Sequence, residues 1–170
     1  MEDKILESIA YILPAAVTGL VAYYMFNGFI NNKNSEKKLE LLALKRKEAL
    51  PIKLQACERL LLFCDRINPV KMLMRIPPIS TNTNDYIQLL IANIDQEFEH
   101  NLVQQIYISE DTWTAIYAAK NAVTNKLKQE AKTAKSANEL RENVLMEYTK
   151  SVPPTEVAID FIKSEVRSLL

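Results

Sequence analysis

Residues 29–170 contain no glycine; the chain's two glycines are Gly19 and Gly28. Tight hairpins and glycine-rich phosphate loops need glycine for a positive φ or for close backbone approach. A stretch this long without one predicts helices joined by Pro, Asn and Ser turns, and so an all-α fold. It also removes P-loop, dinucleotide-binding and nucleophile-elbow motifs together from those residues.

A second feature lies ahead of that stretch. Residues 8–32 carry no charged side chain, and the middle reads IAYILPAAVTGLVAYYMFNGFI. About 22 helical residues would rise roughly 33 Å, against a bilayer core of about 30 Å. The start of the chain, with Glu2 and Asp3 beside Lys4, is unlike the basic start of a cleaved signal peptide, and no small-residue cleavage site follows. The run also lacks the basic polar face of an interfacial helix. The expectation is a transmembrane helix over residues 9–31, from Ile9 through Pro14, Gly19, Tyr23 and Tyr24 to Ile30, with the tyrosines suited to an interfacial belt. Ala15 and Gly19 form a small-xxx-small pair of the kind that lets helices approach.

Basic side chains flank this run unevenly: Lys4 before it, and Lys33, Lys37, Lys38, Lys45, Arg46 and Lys47 after it. By the positive-inside rule the expectation is an inner-membrane protein with residues 1–8 outside and residues 33–170 cytoplasmic. Residues 32–50 then form a basic juxtamembrane stalk, with Lys33, Lys37 and Lys38 near enough to meet lipid headgroups. Residues 51–170 are expected to form a small cytoplasmic helical bundle. Lys plus Arg and Asp plus Glu are 21 each, so no global field points to nucleic acid. Cys57 and Cys64 would sit about 10.5 Å apart along a helix, too far for a disulfide, and read as small buried apolar residues.

Proline and cap signals divide the bundle. Pro51 is expected to end or kink the stalk helix, and the next helix, residues 51–68, places Leu50, Leu54, Cys57, Leu61 and Cys64 on one stripe. A short PVKMLMRI helix follows Asn68, and PPISTNTN (residues 77–84) is a loop in which Asn82 or Asn84 caps the next helix. That helix, residues 85–107, aligns Ile87, Leu90, Ile91, Ile94, Phe98 and Leu102. Ser109 caps a fourth helix whose apolar side is Trp113, Ile116, Tyr117, Val123 and Leu127. Ser136 and Glu139 form a capping box, and Thr155 opens a last helix carrying Val157, Phe161, Ile162 and Leu169.

Candidate chemistry is sparse. His100 is the only histidine, and with Glu97 it makes half of a di-metal bundle motif, which needs two such pairs and two further glutamates. The carboxylates Asp95, Glu97, Glu99 and Glu110 suit a solvated helix face better than a catalytic dyad, for no pocket can be read that would split their pKa values. The lysines 120, 126, 128, 132 and 135 enrich one helix end in positive charge, without the arginines and aromatics of a nucleic-acid surface. No catalytic residue, metal ligand or cofactor is expected, and the chain is not expected to be an enzyme.

The strings ALPIKLQACERLLLFCDRINP and EFEHNLVQQIYIS, after IAYILPAAVTGLVAYY, resemble an uncharacterised bacterial family of small single-span inner-membrane proteins, from the span to about Lys135. The resemblance implies a membrane anchor with a helical cytoplasmic domain and brings no catalytic residues. The functional expectation is a membrane-anchored, non-enzymatic adaptor or scaffold that binds an unknown protein partner, with Glu97, His100, Gln104, Gln105 and Tyr107 as the partner surface. Membrane lipid and a second copy are further expected partners; nucleic acid is not. Two rivals stay open: a structural accessory subunit of a larger membrane complex, and a dimeric metal-dependent helical-bundle enzyme.

Overall fold

A computed structural model describes the backbone of residues 2–170 and the side chains of residues 17–170 other than Asn31, Ser35 and Arg46. The described residues form helices and no strand: α1 (Glu2–Arg66), α2 (Pro69–Arg75), α3 (Thr83–Asn101), a 3-10 segment (Leu102–Tyr107), α4 (Glu110–Thr133), α5 (Ala137–Lys150) and α6 (Pro154–Leu169). The all-α expectation therefore holds. The chain divides into two compact units, Met1–Ala49 and Leu50–Leu170.

In the first unit the membrane expectation is corrected. Among the described residues no helix is long and apolar enough to cross a membrane, which overturns the inner-membrane assignment. Residues 17–30 rise only about 21 Å as a helix. Thr18, Gly19, Asn27 and Gly28 dilute them, and Asn32, Lys33 and Asn34 follow. The side chains of Ile9 and Pro14 lie outside those described. Gly19, Tyr23, Tyr24 and Ile30 are all exposed, and a Cβ at Gly19 would meet nothing within 4 Å. Lys33, Lys37 and Lys38 are exposed too, with the Lys33 ammonium 5.2 Å from the Phe29 ring centroid. Their assignment to lipid headgroups rested on the span.

Pro51 does not end the helix, because α1 is helical through it. A proline inside a helix forfeits one i→i−4 hydrogen bond; here the residues that follow are held by burial. Ala56, Cys57, Leu60, Phe63, Cys64 and Ile67 are all buried. This stripe is rotated from the expected one, since Leu54 and Leu61 are only half-buried. Both cysteines are buried free thiols.

The core of the second unit joins Cys57, Leu60, Phe63 and Cys64 of α1, and Ile67 just after it, to Met72 and Leu73 of α2, Tyr86, Leu90 and Ile94 of α3, Ile116, Val123 and Leu127 of α4, Leu140 and Val144 of α5, and Ile162 of α6. Helix α4 packs on α3, α5 and α6, while α2 and α3 lie on α5. Polar groups fix the joints. Asn68 caps α2 by accepting from the N–H groups of Val70 and Lys71, and donates to the buried Thr155 hydroxyl at 3.3 Å. The Tyr86 hydroxyl donates to Ile76 O at 2.7 Å, and Arg141 Nε donates to Leu73 O at 3.0 Å.

The caps fall where the sequence places them. Asn82, Ser109 and Ser136 each accept from the first turn of α3, α4 and α5. At the capping box the Glu139 carboxylate reaches one residue beyond the cap and accepts from Lys135 N–H at 2.7 Å. In α6 the buried face is Thr155, Ala158, Ile159 and Ile162. Val157 and Phe161, expected in the core, are 58% and 43% exposed.

Candidate protein-binding surface

The residues singled out between 97 and 107 straddle a change of helix type. α3 ends at Asn101, whose side chain donates back to Glu97 O at 2.8 Å, and the Leu102 N–H turns to Glu99 O, three residues back. That bond opens the 3-10 segment, which stops where Ile108 is extended (φ −117°, ψ 167°). Ser109 then starts α4. Glu165 of α6 clamps this junction, accepting from the Ser109 N–H at 2.7 Å and from its hydroxyl at 2.8 Å. A carboxylate beside a helix N-terminus is also favoured by the helix dipole.

Beneath the junction lies an aromatic cluster centred on Phe98. Its ring stacks on Trp113 (centroids 5.5 Å apart, planes at 26°) and touches Phe63 and Tyr117, both at 5.9 Å. The Lys120 ammonium sits 4.6 Å from the Phe98 centroid and 2.7 Å from Asp95 Oδ1. Ring pairs of this kind contribute about 0.5–1.5 kcal/mol beyond their buried area. The end of α3 is thereby fixed to α1 and α4, and the 3-10 segment stands on a rigid base.

The expected surface residues take different places on this base. Glu97 faces α1 and is engaged there, its two carboxylate oxygens accepting from Arg66 Nη1 at 2.8 and 3.0 Å. His100 is exposed in the last turn of α3. Gln105 is exposed, and Gln104 and Tyr107 are half-buried. The half-motif of Glu97 and His100 gains no companions: among the described residues no group of three or more His, Cys, Asp or Glu could hold a metal ion.

What sequence reasoning missed is aliphatic. No residue of the 3-10 segment is buried, and Leu102, Val103 and Ile106 are 40%, 63% and 68% exposed. Leu102 was expected on the buried stripe of α3; the switch to 3-10 geometry takes it off that stripe, because three residues per turn no longer match 3.6. One signal was available in the sequence. Between Arg75 and Lys120 there is no lysine or arginine, while Asp85, Asp95, Glu97, Glu99, Glu110 and Asp111 all fall there.

Elsewhere the chemistry is quiet. Burial pushes the Cys64 thiol up from 9.0 to about 12, and burial, then the Glu165 carboxylate, raises that of Cys57. Thiols held neutral are poor nucleophiles. Lys126 of the basic α4 end bridges Glu130 at 3.1 Å and Glu147 at 3.2 Å, and the Glu130 hydrogen bond leads in raising its pKa. An open groove of about 640 Å³ between α4 and α6 is lined by Ala115, Ala118 and Ala122 opposite Val157 and Phe161.

A family model covers residues 3–169, so the chain belongs to the DUF7935 family, described as a family of unknown function. No curated protein and no solved structure matches the chain.

Proposed function

From membership of a family whose function is unknown, we propose that the chain is a non-enzymatic adaptor or scaffold. Its Leu50–Leu170 unit binds another protein through the 3-10 segment. One observation carries this reading: three exposed aliphatic side chains, Leu102, Val103 and Ile106, fall within five residues of a segment that has no buried residue. Fully covering a Val, Leu or Ile side chain stabilises by about 1.5–3 kcal/mol, so a partner that covers three of them gains a useful anchor. The Phe98 cluster and the Glu165 clamp hold the segment in place beforehand, which lowers the ordering cost of binding. The neutral thiols and the engagement of Glu97 by Arg66 also fit a binding role better than a chemical one.

A second reading, an accessory subunit of a larger complex, is favoured by the first unit. Val17, Leu20, Val21, Tyr23, Tyr24, Met25, Phe26, Phe29 and Ile30 are all 44–72% exposed. Helices apolar all round are normally enclosed on every side. Sedimentation of the native protein separates the two: an accessory subunit migrates only with a complex several times its mass.

The adaptor reading is tested by placing a photo-crosslinking amino acid at Ile106, and in parallel at the exposed Gln129 of α4, in cells that make the protein. The expected result is one recurrent protein captured from position 106 and not from 129. Equal capture from both positions, or none from either, would overturn it.

A further inference from the structure

Three carboxylates bracket the exposed aliphatic residues in sequence, Glu99 before them and Glu110 and Asp111 after them, Asp111 also lining the groove between α4 and α6. Glu99 lies in the last turn of α3, and Glu110 and Asp111 in the first turn of α4. All three are exposed, and none forms an ion pair among the described residues. Among the described residues, the ion-paired cations of the packed helices hold other acids, Lys163 of α6 holding Asp160, while Arg167 of α6 forms no ion pair. Arg66 of α1 holds Glu97, and Lys120 of α4 holds Asp95. Apart from the exposed His100 beside Glu99, the nearest other basic residues in sequence are Arg75 and Lys126. The 3-10 segment is thus an aliphatic strip bracketed in sequence by acids that form no ion pair among the described residues.

We propose that the occupant of this strip is a basic amphipathic helix of a partner protein. Its apolar face would cover Leu102, Val103 and Ile106, and lysines or arginines along its margin would meet Glu99, Glu110 and Asp111. Amphipathic helices bind apolar strips through residues at i, i+3, i+4 and i+7. Charge complementarity at the margin sets the encounter rate and rejects wrong partners more than it sets affinity. An acidic or neutral helix would bring like charge, or none, to three exposed carboxylates. The proposal rests on the adaptor reading and specifies the chemistry of its partner.

The test uses the full chain and two labelled fifteen-residue helical peptides with leucines on one face, one with lysines on the other face and one with glutamates there. Binding is followed by fluorescence anisotropy at low and high salt. The lysine peptide is expected to bind at least ~10-fold tighter than the glutamate peptide, with the gap narrowing as salt screens the margin. Ile106→Glu is expected to weaken the lysine peptide at least ~10-fold. Val103→Glu serves as a second variant, with circular dichroism confirming that each variant folds. Replacing Glu99 and Glu110 together by Gln should weaken binding ~3-fold or more at low salt only. Equal binding of the two peptides, or binding indifferent to both Ile106→Glu and Val103→Glu, would overturn the proposal. If neither peptide binds while position 106 still captures a protein in cells, the basic helix is wrong and the adaptor reading stands. Peptide binding of the expected kind without capture in cells supports the strip's chemistry and removes the adaptor.

Discussion

Helix α3 and the 3-10 segment that continues it are both rich in aliphatic residues, yet they are used differently. In α3, Tyr86, Ile87, Leu90 and Ile94 recur at helical spacing and are 0–8% exposed. In Leu102–Tyr107, Leu102, Val103 and Ile106 are 40–68% exposed, and no residue is buried. The first set stabilises the fold by leaving water. The second leaves much of its apolar area in water. Apolar content alone does not separate these roles; register against a packing partner does.

The sharpest break between the two regions comes from Leu90, which is fully buried. Leu90→Ala should cost about 2–5 kcal/mol in urea unfolding, because lost transfer energy adds to a cavity. A cost under 1 kcal/mol would mean α3 is not packed as described. Asn68→Ala comes next. It removes the α2 cap and strands the buried Thr155 hydroxyl, for about 1–3 kcal/mol by the same measurement.

A smaller effect follows from the raised Cys64 pKa. The folded protein keeps this proton longer than the unfolded chain does, since 12 exceeds 9.0. The stabilisation is therefore whole below about pH 9 and declines as pH rises from 9 towards 12, by at most about 1.4 kcal/mol per pH unit. Urea midpoints at pH 8 and pH 10 should show this fall, and Cys64→Ala should flatten it. The smallest effect sharpens the comparison most. Ile106→Asp should change the unfolding free energy by no more than about 0.5 kcal/mol, because the side chain has little burial to lose.

Much of the fold is legible in local chemistry. The missing glycines exclude hairpins, and Asn82, Ser109 and Ser136 mark helix starts because each can accept from an orphan N–H. Long-range packing is harder to read. Whether Val157 and Phe161 enter the core depends on how α6 is rotated against α4, which periodicity does not set. The stripe of α1 is rotated for the same reason, and Pro51 does not end α1 although its local chemistry favours an end there. Against the membrane expectation, no helix among the described residues is long and apolar enough to cross a membrane, and Thr18, Gly19, Asn27 and Gly28 dilute the apolar residues of 17–30.

At the candidate surface, the sequence reading named the polar residues of the stretch, and the structure shows exposed aliphatic ones among them. Glu97 is spent on Arg66, and Tyr107 and Gln104 are half-buried. The aliphatic residues between them look like core until the change to 3-10 geometry shows that they are not.

The most direct test compares how wild type and Ile106→Asp, at equal cellular levels, recover the protein captured from position 106. The account predicts that the variant folds as stably as wild type and loses that partner. Undiminished recovery of the partner by a stably folded Ile106→Asp chain would contradict it.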